Sequence, residues 1–130
     1  MKRVVKMVLL VSVLLAGSSK IYAVNADIEA GALLYAKCIG CHSPSYHRTG
    51  PKHCGLLGRT VGSASGFEFT VAMQEADFMW TPHTLDQFLI APLDMIPETS
   101  MGYAGIDSFR KRKQLIAYLM TLTEEHRLCR

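Results

Sequence analysis

Apolar residues return along this chain with the period of a helix, and no segment shows the alternation of a half-buried strand. Leu115, Ile116, Leu119 and Leu122 recur at three- and four-residue steps, which marks one buried helix face. Asp107 is the expected cap of that last helix. Leu85, Phe88 and Leu89 share a face in an earlier segment. Thr81-Pro82 supplies its start, a capping hydroxyl followed by a residue whose missing amide hydrogen the first turn does not need, and Pro92 ends it. Thr70 caps a short helix through Met73 and Glu75. Asp27 caps a first helix that runs to about residue 37, with Ile28, Leu34 and Tyr35 among its apolar positions. Between the first two helices, Pro44, Gly50, Pro51, Gly55 and Gly58 punctuate an irregular stretch. The pattern predicts an all-α domain of about four helices joined by long loops. Loops of that length in a small domain imply that something fills the space they wrap.

The N-terminus has a different character. Lys2 and Arg3 precede an apolar run from Met7 to Ala16, and small residues then offer cleavage after Ala23 or Ala26. This is the pattern of a secretory signal peptide. The run is too short to span a bilayer, which takes about 20 residues. The reading is a signal over residues 1–23, with cleavage at 26 as the other option, and a domain over residues 24–130. It predicts an exported, periplasmic protein with no stable membrane insertion after cleavage.

Removing the leader changes the charge. The whole chain carries a formal +3, but four of its 14 Lys and Arg lie in the leader, whereas all 11 Asp and Glu lie after residue 26. The remaining ten basic residues leave a formal −1, so the basic balance belongs to the signal and gives no case for nucleic acid. A chain this short has a modest core. An apolar cofactor bound covalently would supply much of what the core lacks.

The strongest chemical signal is Cys38-Ile39-Gly40-Cys41-His42. It reads C-x-x-C-H, the attachment pattern of c-type haem. Two thiols at this spacing can add to the two vinyl groups along one edge of a porphyrin, and the adjoining histidine then falls under the iron. A thiol–disulfide or zinc motif with an incidental histidine is the bland alternative. The other two cysteines, Cys54 and Cys129, can pair with each other, pair between chains or stay free. A six-coordinate haem needs a second axial ligand, and a neutral thioether raises the reduction potential. The best placed is Met101, 59 residues after His42 in a loop between two helices. Met95 is its nearest competitor, and most of the seven methionines are ordinary core fillers.

With these residues in view, the chain resembles the class I soluble c-type cytochromes, related to bacterial and mitochondrial cytochrome c. The landmarks run in order over nearly the whole mature chain. They are Gly31 and Tyr35 ahead of the haem motif, Gly50-Pro51, Gly55-Leu56-Leu57-Gly58-Arg59, Gly66-Phe67-x-Phe69-Thr70, Trp80, Thr84-Leu85, Ile96-Pro97-x-Thr99-x-Met101, and Leu115 through Leu119. The resemblance implies a small class I cytochrome c fold wrapped around one covalent haem c. Cys38 and Cys41 then hold the haem, with His42 and Met101 as axial ligands of its iron. It implies that the Pro51 carbonyl accepts a hydrogen bond from His42. It also implies that Arg59, Thr70 and Trp80 surround the haem propionates, that Thr99 belongs to the haem pocket, and that Gly31 and Tyr35 pack against Leu115 and Tyr118. In the family fold the loop bearing Cys54, a position where relatives often carry a surface histidine, passes near the end of the last helix. An intramolecular Cys54–Cys129 disulfide is therefore one option, two unrelated thiols the other.

The departures from the family are also specific. Phe69 and Phe88 stand where tyrosines are usual, and Met73 where an asparagine often holds an internal water. The pocket is expected to be drier. His53 sits where relatives tend to have an apolar residue. Most of the lysine ring around the exposed haem edge is missing, with Leu93, Asp94, Ser100, Asp107 and Ser108 in its place. Lys37 and Arg48 remain. The function implied is that of a monomeric, non-enzymatic electron carrier. It works between a redox donor such as a dehydrogenase or respiratory complex and an acceptor such as a terminal oxidase or reductase. A haem enzyme or small-ligand sensor with a labile distal methionine is the alternative.

Overall fold

The computed structural model describes residues 20–130. The core of the leader lies outside the described residues. Five helices are present among them. α1 is described over 20–35, α2 is Val71–Glu75, α3 Pro82–Ile90, α4 Pro92–Met95 and α5 Phe109–Thr121. The described residues form no strand, only an isolated bridge between Thr60 and Met79.

Three boundaries differ from the sequence reading. α1 begins upstream of Asp27, because Lys20 to Ala26 contain no glycine or proline to stop it. Asp27 is therefore interior to the helix, and its carboxylate accepts a hydrogen bond from Gln114 Nε2 at 3.2 Å. α5 is capped by Ser108, whose hydroxyl accepts from the Lys111 amide, while the Asp107 carbonyl is taken up by Arg112 Nη1 at 2.8 Å. Pro92 does end α3, but the same ring geometry also starts a further single turn, α4, which the apolar pattern did not reveal. The cap of α3 is as expected. Thr81 and Thr84 form a reciprocal capping box with Pro82 in the first turn.

Leu85, Phe88 and Leu89 of α3 pack with Leu115, Ile116 and Leu119 of α5 into one buried cluster. Each such side chain contributes about 1.5–3 kcal/mol on burial. α1 crosses α5 closely because Gly31 has no side chain. A Cβ there would fall on the Gln114 carbonyl and the Tyr118 Cβ. Arg112 ties α5 to α3 through Asp86, 2.8 Å away, and donates to the Ile106 and Asp107 carbonyls, which anchors the end of the 96–108 loop. Cys54 and Cys129 form a disulfide with Cα atoms 5.7 Å apart, joining the 43–58 loop to the segment after α5. The amide of Gly55 adds a second tie, to the Leu122 carbonyl.

Candidate functional site

α1 ends in a tight turn that carries the reactive side chains. Its last carbonyls are taken by Lys37 and Cys38, and then Cys41 N and His42 N both donate to the Cys38 carbonyl. This folds the five-residue motif back on itself. Cys38 is half-buried and Cys41 exposed, and both thiols are free. Burial, and then the neighbouring Cys41, push the Cys38 thiol up, so it is not a reactive thiolate at neutral pH.

His42 is buried. Its Nδ1 lies 2.8 Å from the Pro51 carbonyl. A carbonyl only accepts, so Nδ1 carries the hydrogen and Nε2 keeps its lone pair. Burial lowers the imidazole from its ordinary value, with the Pro51 bond acting the other way. A neutral ring with a free Nε2 lone pair is a metal ligand in its binding form. Gly50 leaves room for the ring, since a Cβ at Gly50 would strike it.

Cys38, Cys41 and His42 border a cavity of about 450 Å³, within the usual range of roughly 300–1,000 Å³ for small-molecule sites. Its walls come from the end of α1, the 49–73 segment, Trp80, α3, the 96–108 loop and α5. Leu56, Met73, Leu85, Leu115 and Leu119 make them mainly apolar. Of the residues singled out in the sequence, Pro51, Arg59, Phe69, Trp80 and Phe88 line it too, as do Thr99 and Met101 from the 96–108 loop. Thr70 does not. Its hydroxyl accepts from the Met73 amide and is spent on capping α2.

The way each wall residue arrives is local and legible. Segments 58–61 and 78–80 run antiparallel, with Gly58 N bonded to Trp80 O and Trp80 N to Arg59 O, which brings Arg59 and Trp80 to one wall. Arg59 Nη2 donates to the Lys52 carbonyl at 3.0 Å, and Nη1 to that of Cys54. Burial lowers the Arg59 guanidinium from its usual value, while Glu124 acts in the opposite direction. Trp80 is held edge-on between Phe78 and Phe88, with ring centroids 5.5 and 5.0 Å away. The Met101 amide donates to the Thr99 hydroxyl, and Glu98 in the same loop sits at φ 66°.

Sequence reasoning missed two arrangements. One is the Asp86–Arg112 pair, whose partners are 26 positions apart and not related by any helical step. The other is at His53, which stacks on His42 and accepts from or donates to Tyr35. The only sequence signal for either was a histidine at an apolar position.

Two free thiols, a neighbouring imidazole in its neutral form and a mainly apolar cavity fit a haem attached through thioethers. No group of three or more His, Cys, Asp or Glu among the described residues is arranged to hold a bare metal ion. No described helix is long and apolar enough to cross a membrane.

No family model matches the chain. Individual proteins do. It is 36% identical over 96 residues to cytochrome c 2.1 of Caenorhabditis elegans, spanning 72% of this chain and 86% of that protein. It is 34% identical over 97 residues to cytochrome c2 of Rhodopila globiformis, spanning 73% and 92%. Among solved structures, cytochrome cH from Methylobacterium extorquens superposes with a TM-score of 0.70 at 33% identity, covering 72% of this chain and 96% of that one.

Proposed function

Because this chain belongs to the class I c-type cytochromes, we propose that it is an exported, periplasmic carrier of single electrons and not an enzyme. Its haem c is held by Cys38 and Cys41, with His42 and Met101 as the two axial ligands. The bound haem supplies a one-electron couple that the polypeptide lacks. The observation that carries this reading is the His42–Pro51 hydrogen bond, which leaves a basic Nε2 on a ring bordering the same cavity as both thiols and Met101.

The side chains then have separable tasks. Cys38 and Cys41 fix position and prevent loss of the cofactor. Pro51 orients His42 and makes it more basic, as outer partners of metal-bound imidazoles do. Met101 would offer the iron a neutral sulfur, which favours a high potential. Arg59 and Trp80 hold the propionates. The apolar walls from α3 and α5 exclude water. With His42 and Met101 both on the iron, the bound haem would offer no site to a substrate, and donor and acceptor would be other redox proteins.

The second reading, an enzyme or small-ligand sensor, is favoured by one observation. Glu98, three residues before Met101, holds a left-handed backbone conformation that a non-glycine residue adopts only at a cost. Strain in that loop lowers the cost of releasing the methionine.

The visible and near-infrared spectrum of the ferric protein, produced in a host that matures c-type haem, separates the readings. A low-spin spectrum with the weak iron–methionine charge-transfer band is expected, and Met101→Ala should abolish that band. A high-spin spectrum, or one that responds at once to carbon monoxide on reduction, would replace the carrier with the second reading. Protein without covalent haem would overturn both.

A further inference from the structure

His53 has no part in the electron-carrier reading, yet its ring is stacked directly on that of His42. The two centroids are 4.2 Å apart and the planes are inclined by 23°. His53 Nδ1 lies 3.0 Å from the Tyr35 hydroxyl, and the two rings meet edge-on at 61°. Tyr35 is in turn buried and packed on Tyr118, 5.1 Å away.

The pair is held from its backbone. His53 N donates to the Ser43 carbonyl at 3.1 Å, and the next residue, Cys54, donates to Pro44 and is bonded to Cys129. The braced loop therefore fixes the His53 backbone beside His42, and the bond to Tyr35 holds its ring there. The hydrogen-bond assignment follows from chemistry. A histidine ring nitrogen accepts when its hydrogen sits on the other nitrogen, and a tyrosine hydroxyl donates wherever an acceptor is in reach. The phenol has no other acceptor among the described residues, so it donates to Nδ1 and leaves the His53 hydrogen on Nε2. That nitrogen has no hydrogen-bond partner among the described residues, and His53 borders the cavity.

Packing alone does not call for this arrangement. A partly buried polar pair exchanges some of its bonds to water for one bond to each other, and an apolar pair of the same shape is often as stable or more so. The polar pair is better explained by what it does to the ring it touches. We propose that His53, oriented by Tyr35, is a positioning residue for His42: its stacked ring fixes the plane of the ligand imidazole and thereby tunes the haem potential. The inference rests on the reading of His42 as an axial ligand. The plane of an axial imidazole decides which iron d orbitals its π system meets, so outer groups that hold the plane alter the balance of ferric and ferrous states.

The test uses the haem-loaded protein and two readouts, the pattern of haem-methyl proton shifts in the ferric state and the midpoint potential. His53→Leu should move both. Tyr35→Phe, which removes one oxygen and keeps the ring, should move both in the same direction and by less. The double variant should match His53→Leu alone, because Tyr35 acts through His53. Unmoved shifts and potential in His53→Leu would overturn the proposal, as would a Tyr35→Phe effect that persists undiminished in the His53→Leu background. If His53→Leu does not mature, Tyr35→Phe alone decides, and unchanged methyl shifts there overturn it. A wild-type spectrum lacking a low-spin histidine-ligated haem would remove the axial role of His42 and this inference with it. A normal wild-type spectrum with unmoved variants removes only the role of His53.

Discussion

Tyr35 and Tyr118 lie ring to ring near the crossing of α1 and α5, and burial raises both phenols above the ordinary value of 10.0. The sign of the consequence is fixed. In the unfolded chain both phenols ionise near pH ~10, while in the folded protein they still hold their protons, so the native state binds more protons above that pH. Their contribution to stability is complete below pH ~10 and is lost as the pH rises toward the folded values. Thermal unfolding followed across that range should show a steeper alkaline fall for wild type than for Tyr35→Phe. Equal alkaline limbs would mean that Tyr35 ionises as easily folded as unfolded. At the same scale, residue type and spacing singled out Cys38, Cys41, His42 and Met101 as candidates, and all four border one cavity. The sequence did not single out the stacking of His53 on His42 or the bond of His53 to Tyr35, 18 positions away, because such contacts leave no periodic trace.

At the scale of elements, the 96–108 loop combines firm anchors with one strained residue. Arg112 holds its C-terminal end through two carbonyls, Thr99 is buried, and the Ile106 amide bonds to Leu89. Glu98 sits at φ 66° within it. An L-residue in this region costs roughly 1–2 kcal/mol. Glu98→Gly should remove most of that cost and raise the unfolding free energy by about 1 kcal/mol after the greater freedom of glycine in the unfolded chain is counted. Glu98→Ala keeps the Cβ and should give none of the gain. Equal stability of the two variants in denaturant titration would show that the backbone is not strained there. Around the loop, α3 and α5 were legible in sequence from Thr81-Pro82 and from the Leu115–Leu122 periodicity, while α4, which directly precedes it, was not. The exact ends of α3 and α5 were not legible either, because Asp107 and Ser108 are both competent caps and the choice between them depends on Arg112 claiming the Asp107 carbonyl.

At the scale of the whole molecule, the disulfide joins loop and tail across 75 positions. Closing a loop of that length removes much of the freedom of the unfolded chain, and such bonds contribute about 2–4 kcal/mol. The double variant Cys54→Ser, Cys129→Ser should therefore unfold at lower denaturant concentration by about that amount, with its haem still attached. A midpoint equal to wild type would show that the haem linkage already restrains the same loop. The surface around the cavity mouth bears on partners. Ser100, Gly102 and Tyr103 line it beside a single lysine, Lys37, and Ile39 and Leu93 are exposed. With few charges there, electrostatic steering is weak. Electron-transfer rates with a lysine-seeking partner should fall only shallowly as ionic strength rises, and a steep fall in stopped-flow measurements would contradict this.

The sequence by itself determined the helical class, the helix starts at Thr70 and Thr81, the covalent attachment motif and the order of family landmarks. These are local facts, set by spacing, capping chemistry and periodicity within a few turns of chain. Only the tertiary structure decided which landmarks meet. It brought Met101, Arg59, Trp80 and Phe88 to the cavity that His42 borders and left Thr70 outside. It drew Cys54 to Cys129, coupled Asp86 to Arg112, and seated His53 and Tyr35 behind His42. Those contacts depend on how α1 and α5 cross and on where the irregular loops are tied. The resemblance anticipated the Gly31 crossing, but ties such as Gly55 N on the Leu122 carbonyl become visible only when the whole chain has packed.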